Sequence, residues 1–224
     1  MCNEAARRVS VDQIHAAFRE VHIPLLFPEG LSNLAALDSI RITDQSVIVR
    51  AATVGADAGA AELVQRRWSW PGPAGKPVYN YRGEGRAFAN SATAGRCLIP
   101  LDGFYEFTES SAVQGEESLF GDAAPRPIKA KRGKKDKWLF TLAPGGTMGA
   151  DFFCVAGLWR TDAKVGEAFT MLTCEPGPDI APYHQRQIVL MPQARWADWL
   201  GGAVSAQDLI GPAPAGTLAV TPAR

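Results

Sequence analysis

Cys2 has the most distinctive chemistry in this chain, because removal of Met1 would leave it as a free N-terminal cysteine. Such a residue carries an α-amine, whose ordinary pKa is about 7.7–8.0, and a thiol, whose ordinary pKa is about 8.5. An aldehyde can form a Schiff base with the amine, and the thiol can then close a five-membered thiazolidine ring. Cys2 therefore predicts aldehyde capture, against the alternative of an ordinary residue in a frayed terminus.

Alternating polar residues mark the segment VYNYRGEGR, which contains Asn80, Arg82 and Glu84. In an extended conformation these three side chains share one face. A carboxamide, a guanidinium and a carboxylate on one face could orient a substrate and hold a phosphate. The alternative is an exposed polar strand face with an ion pair between Arg82 and Glu84.

Two more segments carry groups that could transfer protons or bind phosphate. Glu106 lies within the aromatic run GFYEF, where apolar surroundings would raise the pKa of its carboxyl. Alternatively, Glu106 faces water between inward-facing aromatic residues. His184 stands two residues before Arg186 in PYHQRQIV. The imidazole could shuttle protons and the guanidinium could bind phosphate, although a lone histidine is more often structural.

The elements that must position these residues are mostly short strands. Helices are predicted over residues 11–20, after a Ser10/Gln13 capping box, and over 193–200 and 204–209. Strands are predicted over 46–53, 138–142, 152–159, 169–174 and 188–191, and residues 96–107 as two strands joined by a tight turn. Residues 68–77 indicate a shaped loop, and residues 109–136 a long, flexible exposed insertion. The pattern predicts one α+β domain over residues 2–224, with peripheral helices.

Composition argues against a membrane protein, a secreted protein and a metalloprotein. The 224 residues carry no net charge, although residues 66–137 hold 13 basic against 8 acidic side chains. No apolar run is long enough for a membrane helix, and no secretory signal is visible, so no membrane partner is expected. Four scattered cysteines and three histidines predict no disulfide framework, no metal site and a reduced, cytoplasmic location.

Six segments, taken in order, resemble the SOS-response-associated peptidase (SRAP) family. They are Met1-Cys2, the RWSW segment at Arg67, NYRGE from Asn80, RCLIPLDGFYEF from Arg96, AGLW from Ala156, and HQR from His184. The family pattern reads Met-Cys, RWGL, NARxE, RCLxPxxGFYEW, AGLW and HxRMP. RCLIPLDGFYE is the most specific match, and the matches span most of the chain.

This resemblance implies a barrel-like sheet core and covalent capture of abasic sites in single-stranded DNA, without a cofactor. Cys2 would be the nucleophile, Asn80 would position it, Glu106 would shuttle protons, and His184 would act on the sugar hydroxyl. The residues that would bind the phosphates and bases of the DNA are Arg82, Arg186, Arg67, Trp68 and Trp70. The resemblance further implies a monomer associated with the nucleoid, and possible autoproteolytic removal of Met1.

The chain departs from the family pattern at several positions near these residues. Asn3-Glu4 replaces the usual Gly-Arg, so the chain lacks the arginine that would make one phosphate contact. Phe107 replaces tryptophan, Tyr81 replaces a small residue, and Gln187-Ile188 replaces Met-Pro. Each of the four proposed catalytic side chains is retained.

Two other functions remain open from the sequence. The first is an N-terminal cysteine hydrolase, acting as an autopeptidase or an amidohydrolase, which would also need Cys2. The second is a noncatalytic single-stranded-DNA-binding module that uses Arg82, Arg186, the tryptophans and the basic stretch 129–137. Salt-sensitive binding to undamaged strands without a covalent product would indicate the second.

Overall fold

Short strands separated by turns dominate the chain, as the alternating apolar pattern predicts. A computed structural model describes residues 2–30, 34–52, 59–109, 135–146 and 148–223. Over these residues the elements, in chain order, are β1 (Glu4–Arg7), α1 (Val11–Glu20), β2 (Leu25–Leu26), β3 (Leu37–Arg41), β4 (Gln45–Ala51), β5 (Ala61–Trp68), β6 (Trp70–Pro71), β7 (Pro77–Val78), β8 (Asn80–Arg82), β9 (Ala94–Leu101), β10 (Gly103–Thr108), β11 (Asp136–Leu142), β12 (Phe153–Asp162), β13 (Gly166–Cys174), β14 (Gln187–Ile188), β15 (Leu190–Met191), α2 (Trp196–Gly201) and β16 (Leu218–Ala223).

Five of these strands form a closed barrel. The strand order is β13-β12-β9-β4-β5, and β5 returns to pair in parallel with β13 at Ala168↔Arg67 and Phe169↔Trp68. Successive side chains of a strand point to opposite faces. Each barrel strand therefore sends one set of apolar side chains inward, represented by Ile48, Val64, Ile99, Val155 and Phe169. The fold is a mixed α+β domain with a barrel core, which confirms the predicted fold class.

The second sheet shares the barrel's interior core. It has the order β16-β11-β10-β1-β3. Phe104 of β10 and Phe140 of β11 stack with ring centroids 5.0 Å apart, and they pack in the same apolar cluster as the inward residues of the barrel. Cys2 belongs to that cluster because it stands directly before β1. The start of the chain is therefore held between the two sheets.

Helices cover the outer wall of the barrel. Helix α1 begins after a capping box in which Ser10 and Gln13 exchange hydrogen bonds, as predicted. It buries Ile14 and Phe18, and Phe18 stacks on Trp196 of α2 with centroids 4.5 Å apart. These residues form a second cluster with the outward side chains of the barrel strands.

A buried charge network occupies the barrel near its seam. Arg50 donates to Glu62 at 2.7 Å and to Glu167 at 2.9 Å, and its guanidinium lies 4.0 Å from the ring centroid of Trp159. Arg66 pairs with the other oxygen of Glu167. Glu167 therefore links β4 and β5 to β13, next to the short parallel contact that closes the barrel.

Several predicted elements need correction. Residues 96–107 do form two strands, but β9 joins the barrel and β10 joins the second sheet, so they are not a hairpin. The predicted loop over 68–77 contains the end of β5 and the paired strands β6 and β7. Helix 193–200 divides into a 3-10 turn and α2, and the 204–209 helix is reduced to a 3-10 turn at Ala206–Asp208.

Two further sequence predictions were the absence of a membrane helix and a long exposed insertion. Within the described ranges, no helix is long and apolar enough to cross a membrane. Most of the predicted insertion, residues 110–134, lies outside the described residues.

Gly157, in the AGLW segment, lies where the interior of the barrel leaves no room for a side chain. A Cβ on Gly157 would lie 2.4 Å from Ile99 Cδ1 and 2.7 Å from the Thr170 carbonyl oxygen. We expect Gly157→Ala to lower the free energy of unfolding by about 1–3 kcal/mol, because it overpacks the interior. Urea denaturation measures this, and Gly201→Ala is the matched control.

Gly201 ends α2 and has open space around its Cα. The control should therefore be neutral, or should stabilise the protein by up to about 1 kcal/mol. If Gly157→Ala were as stable as the wild-type protein, close packing at this point in the barrel would be wrong.

Candidate active site

Cys2 is buried at the entrance to β1, and its main chain is bound on both sides. Its carbonyl oxygen accepts a hydrogen bond from Asn80 Nδ2 at 2.7 Å, and its backbone N–H donates to the Glu106 carboxylate. Its thiol donates to the Glu4 carbonyl oxygen at 3.4 Å. Three of the four predicted catalytic residues are thus in direct contact.

Strand register explains why Asn80 reaches Cys2. Strand β8 pairs in parallel with β13, with Asn80 opposite Met171 and Tyr81 opposite Leu172. Met171 belongs to the interior cluster that contains Cys2, so Asn80 faces that interior. Its Oδ1 atom is buried and has no hydrogen-bond partner among the described residues. An acceptor is therefore available beside Cys2 for an incoming N–H or O–H group.

Glu106 lies in the interior and does not face water, so that alternative from the sequence is wrong. It is in the middle of β10 opposite Trp138, and only 2% of the residue is exposed. Burial raises the pKa of its carboxyl above the ordinary value. Burial and the nearby Glu106 charge also raise the pKa of the Cys2 thiol. Both groups therefore favour their neutral forms more than they would in water.

His184 is half-buried in the segment that follows a turn at Ile180. Its Nδ1 atom lies 3.0 Å from the backbone N–H of Arg186. Nδ1 also lies 3.0 Å from the Arg186 carbonyl oxygen, so it accepts from the N–H in one tautomer and donates to the carbonyl in the other. Burial lowers the pKa of His184. The ring therefore favours its neutral form, with Nδ1 held against the main chain of Arg186.

Aromatic packing places the His184 segment against the Glu106 strand. Tyr183 packs edge-on to Trp138 with centroids 5.0 Å apart, and also contacts Phe140. Trp138 is the cross-strand neighbour of Glu106. The segment is thus fixed next to the Cys2 cluster.

The two predicted phosphate-binding arginines differ in how they are engaged. Arg186 donates to both oxygens of Glu84, at 2.6 and 2.7 Å, and to the Thr173 carbonyl oxygen at 2.8 Å. Arg82 is exposed and its guanidinium makes no hydrogen bond to a described residue, although its charge helps to lower the pKa of Glu84. Arg82 is therefore the one of the two whose guanidinium is not held by a carboxylate.

The predicted base-stacking residue Trp68 lies in the core instead. It is the last residue of β5, its exposure is 0%, and its Nε1 donates to the Tyr79 carbonyl oxygen at 2.9 Å. It stacks on Phe169 across the seam of the barrel. In this structure it offers no face to a base, so the prediction of an exposed aromatic at this position is corrected.

The contacts given for the side chains of Arg67 and Trp70 are with residues other than Cys2, Asn80, Glu106 and His184. Arg67 donates to the Thr43 carbonyl oxygen at 3.4 Å. Trp70 is buried with the guanidinium of Arg160 4.6 Å above its ring. Their part in DNA binding stays a prediction.

An ion pair beside Cys2 was not foreseen from the sequence. Glu4 is buried, and its carboxylate accepts from Lys137 at 2.8 Å and from the Ser39 hydroxyl at 2.7 Å. Lys137 also lies 3.9 Å from the ring centroid of Tyr105. The carboxylate that replaces the usual arginine is thus neutralised by Lys137 of β11, which lies beyond β10 in the same sheet. Only the alternation within residues 136–142 could have indicated that Lys137 points this way.

The cluster brings together the groups needed for condensation with a carbonyl. The nitrogen and sulfur of one residue adjoin a buried carboxyl, a free amide oxygen and the imidazole segment. The parts of the chain that the structure describes contain no group of three His, Cys, Asp or Glu side chains placed to hold a metal ion.

Comparisons with known proteins agree with this fold. A sequence model described as SOS response associated peptidase (SRAP) matches residues 1–224. Among solved structures, a phage-related protein from Bordetella bronchiseptica is similar with a TM-score of 0.63 at 16% identity. The alignment covers 100% of this chain and 94% of that one, and at this identity it shows the fold alone. A search of curated proteins found no match.

The pair between Glu84 and Arg186 predicts a pH-dependent contribution to stability. The hydrogen bonds from Arg186 lower the pKa of Glu84 below its ordinary 4.5. The stabilisation is therefore complete above pH 4.5 and is lost as the pH falls through the lowered pKa of the folded protein. We expect Glu84→Gln to lower the free energy of unfolding by about 1 kcal/mol at neutral pH, since Glu84 is partly exposed.

Urea unfolding of both proteins from neutral pH into acid measures this difference, which should shrink below pH 4.5 and vanish once the pH is below the lowered pKa of Glu84. Glu109→Gln is the control, because that side chain is 82% exposed and should change little. A difference that persisted unchanged in acid would contradict the charge-based origin of the effect.

Proposed function

This chain belongs to the SOS response associated peptidase (SRAP) family, which supports a DNA-damage-associated, peptidase-like function, and we propose that it captures abasic sites in single-stranded DNA covalently through Cys2. The observation that carries the proposal is the hydrogen bond from the Cys2 backbone nitrogen to the buried Glu106 carboxylate. Once Met1 is removed, that nitrogen becomes a free amine beside a proton donor and acceptor.

The proposed reaction begins with the amine. Hydrolysis of the Met1–Cys2 peptide bond consumes one water and frees the Cys2 nitrogen. The amine adds to the aldehyde carbon of the ring-opened abasic sugar, and the resulting carbinolamine loses water to form an imine. Cys2 Sγ then bonds to the imine carbon, while the thiol proton passes to the nitrogen. The product is a thiazolidine, and crosslinking releases one water overall.

The electrostatics of the site favour this order of attack. Burial and Glu106 raise the pKa of the Cys2 thiol, so little thiolate exists near neutral pH. The amine has an ordinary pKa of about 7.7–8.0 and is partly neutral under the same conditions. The nitrogen therefore attacks first, and the thiol closes the ring as a neutral group that gives up its proton.

Each neighbouring residue has a role that follows from its contacts. Glu106, whose pKa is raised, donates a proton to the leaving hydroxyl and takes one from the amine. Asn80 holds the Cys2 carbonyl through Nδ2 and offers Oδ1 to the amine. His184 acts as acid and base at a sugar hydroxyl during ring opening. Arg82 attracts a phosphate of the strand.

A second activity, self-removal of Met1, is favoured by the same hydrogen bond. The nitrogen that donates to Glu106 is the leaving group of the Met1–Cys2 peptide bond, so protonated Glu106 could supply its proton. This autopeptidase reaction would precede crosslinking. It differs from a general hydrolase, which would turn over other peptides or amides.

The first experiment tests covalent capture. Purified protein with a native N-terminus is mixed with single-stranded DNA that carries one abasic site, and the products are separated on a denaturing gel and weighed. We expect a heat-stable adduct with the mass of protein lacking Met1 plus DNA minus one water. Cys2→Ser should give no stable ring, and an extension before Cys2 should abolish the adduct.

Cys154→Ala is the matched control, because Cys154 is buried in the outer cluster away from Cys2. It should crosslink like the wild-type protein. A heat-stable adduct formed equally well by Cys2→Ser would rule out the thiazolidine.

The pH dependence of crosslinking tests Glu106. The rate should rise as the amine deprotonates, and should fall as the pH rises through the raised pKa of Glu106, because the acid form is then lost. Glu106→Gln should slow crosslinking about 100-fold or more and remove the alkaline fall, leaving the rise intact. Single-turnover rates across the pH range measure both, with Glu109→Gln as the control. An unchanged profile in Glu106→Gln would exclude Glu106 as the acid.

A further inference from the structure

The Cys2 thiol is held by the main chains of two residues that face each other across β1 and β10. It donates to the Glu4 carbonyl oxygen at 3.4 Å. Burial is the main effect on the pKa of this thiol and raises it, whereas a hydrogen bond with the Tyr105 backbone lowers it. Glu4 and Tyr105 are direct partners in the register of the two strands. The position of Sγ therefore depends on how firmly these two residues are fixed.

Lys137 contacts both of these residues from the other face of the sheet. The next pair along the strands, Ala5 and Phe104, packs in the interior cluster, so the side chains of Glu4 and Tyr105 point to the opposite face. There the Lys137 ammonium lies 2.8 Å from the Glu4 carboxylate and 3.9 Å from the centroid of the Tyr105 ring. One cation from β11 thus contacts the side chains of both residues whose main chains hold Sγ.

The contact between Glu4 and Lys137 is an ion pair that is largely removed from water. The Glu4 side chain is 8% exposed and the Lys137 side chain 24%. Burial alone would raise the pKa of Glu4, but hydrogen bonds from Lys137 and from the Ser39 hydroxyl lower it below its ordinary value. The carboxylate is therefore charged near neutral pH. Because a buried charge without its partner is costly, loss of the Lys137 ammonium would displace the start of β1.

We propose that Lys137 is a positioning residue for closure of the thiazolidine ring, because its pair with Glu4 holds the Cys2 thiol within reach of the imine carbon. This inference rests on the proposed function and deepens it. The nitrogen and carbonyl of Cys2 are fixed by Glu106 and Asn80, so imine formation does not need the ion pair. Ring closure does need it. In that step an electron pair of Sγ forms the bond to carbon, the C=N electron pair moves to nitrogen, and the thiol proton follows it.

Single-turnover crosslinking of Lys137→Met to single-stranded DNA with one abasic site tests this role. Samples are quenched over time with cyanoborohydride, which adds hydrogen to an open imine but leaves a closed ring unchanged. Mass spectrometry then gives the open and closed adducts separately. We expect ring closure to be about tenfold slower in the variant, with the rate of imine formation unchanged. Weaker binding of the DNA would instead slow imine formation, so the two effects are distinguished.

Two further variants and one control show whether the ion pair carries the effect. Lys137→Arg should restore ring closure, because a guanidinium also pairs with a carboxylate and lies over an aromatic ring. In a Glu4→Gln background, Lys137→Met should change ring closure little, since no charge is left to pair. Lys164→Met is the matched control, because Lys164 is an exposed lysine between β12 and β13. Wild-type ring closure in Lys137→Met, or a tenfold loss that persisted in the Glu4→Gln background, would overturn the proposal.

A second measurement does not depend on the DNA reaction. Iodoacetamide reaches a buried thiol only through local opening, so the rate of Cys2 alkylation, followed by peptide mapping, reports how firmly the start of β1 is held. Lys137→Met should raise this rate about tenfold and leave the buried Cys154 unchanged. If the wild-type protein formed no adduct, the proposed function would be wrong. An unchanged alkylation rate of Cys2 would independently overturn the role of Lys137.

Discussion

The candidate site depends on two hydrogen bonds that fix the main chain of Cys2. A residue at the start of a chain normally frays, because few contacts oppose its conformational entropy. Here the Cys2 carbonyl is held by Asn80 and the nitrogen by Glu106, on two strands from different sheets. The terminus is thereby held in the shared core, and its nitrogen and sulfur meet one carboxyl.

Strand β13 connects this arrangement to the rest of the fold. It pairs with β12 within the barrel, with β5 at the seam, and with β8, which carries Asn80. Its Thr173 also accepts from Arg186, which fixes the segment containing His184. Strand β13 therefore fixes both the segment that carries Asn80 and the segment that carries His184. It sets the separation between the amide and the imidazole of the site, and it gives β8 one face toward Cys2 and another toward the outer wall of the barrel.

Local sequence patterns predicted many of the helices and strands, whereas pairing between residues far apart in the chain determines the features that the sequence did not show. The capping box at Ser10 gave the start of α1, because both partners lie within four residues. The two strands around Asp102 were also visible, but their sequence cannot show that they enter different sheets. Trp68 was misplaced because the neighbouring glycines and prolines suggested a loop, whereas pairing with β13 draws it inside. The Glu4–Lys137 pair joins residues 133 positions apart, beyond any local signal.

The pairing of Arg186 constrains how a DNA strand could approach the site. A phosphate that took Arg186 would have to replace two charge-assisted bonds to Glu84, and would leave that carboxylate without its partner. Arg82 imposes no such cost, because it is exposed and binds no described carboxylate. The Glu84 pair instead holds Arg186 on Thr173, and the main chain of Arg186 in turn contacts Nδ1 of His184. Under the proposed function, Arg82 would therefore contact the strand, while Arg186 would position the imidazole.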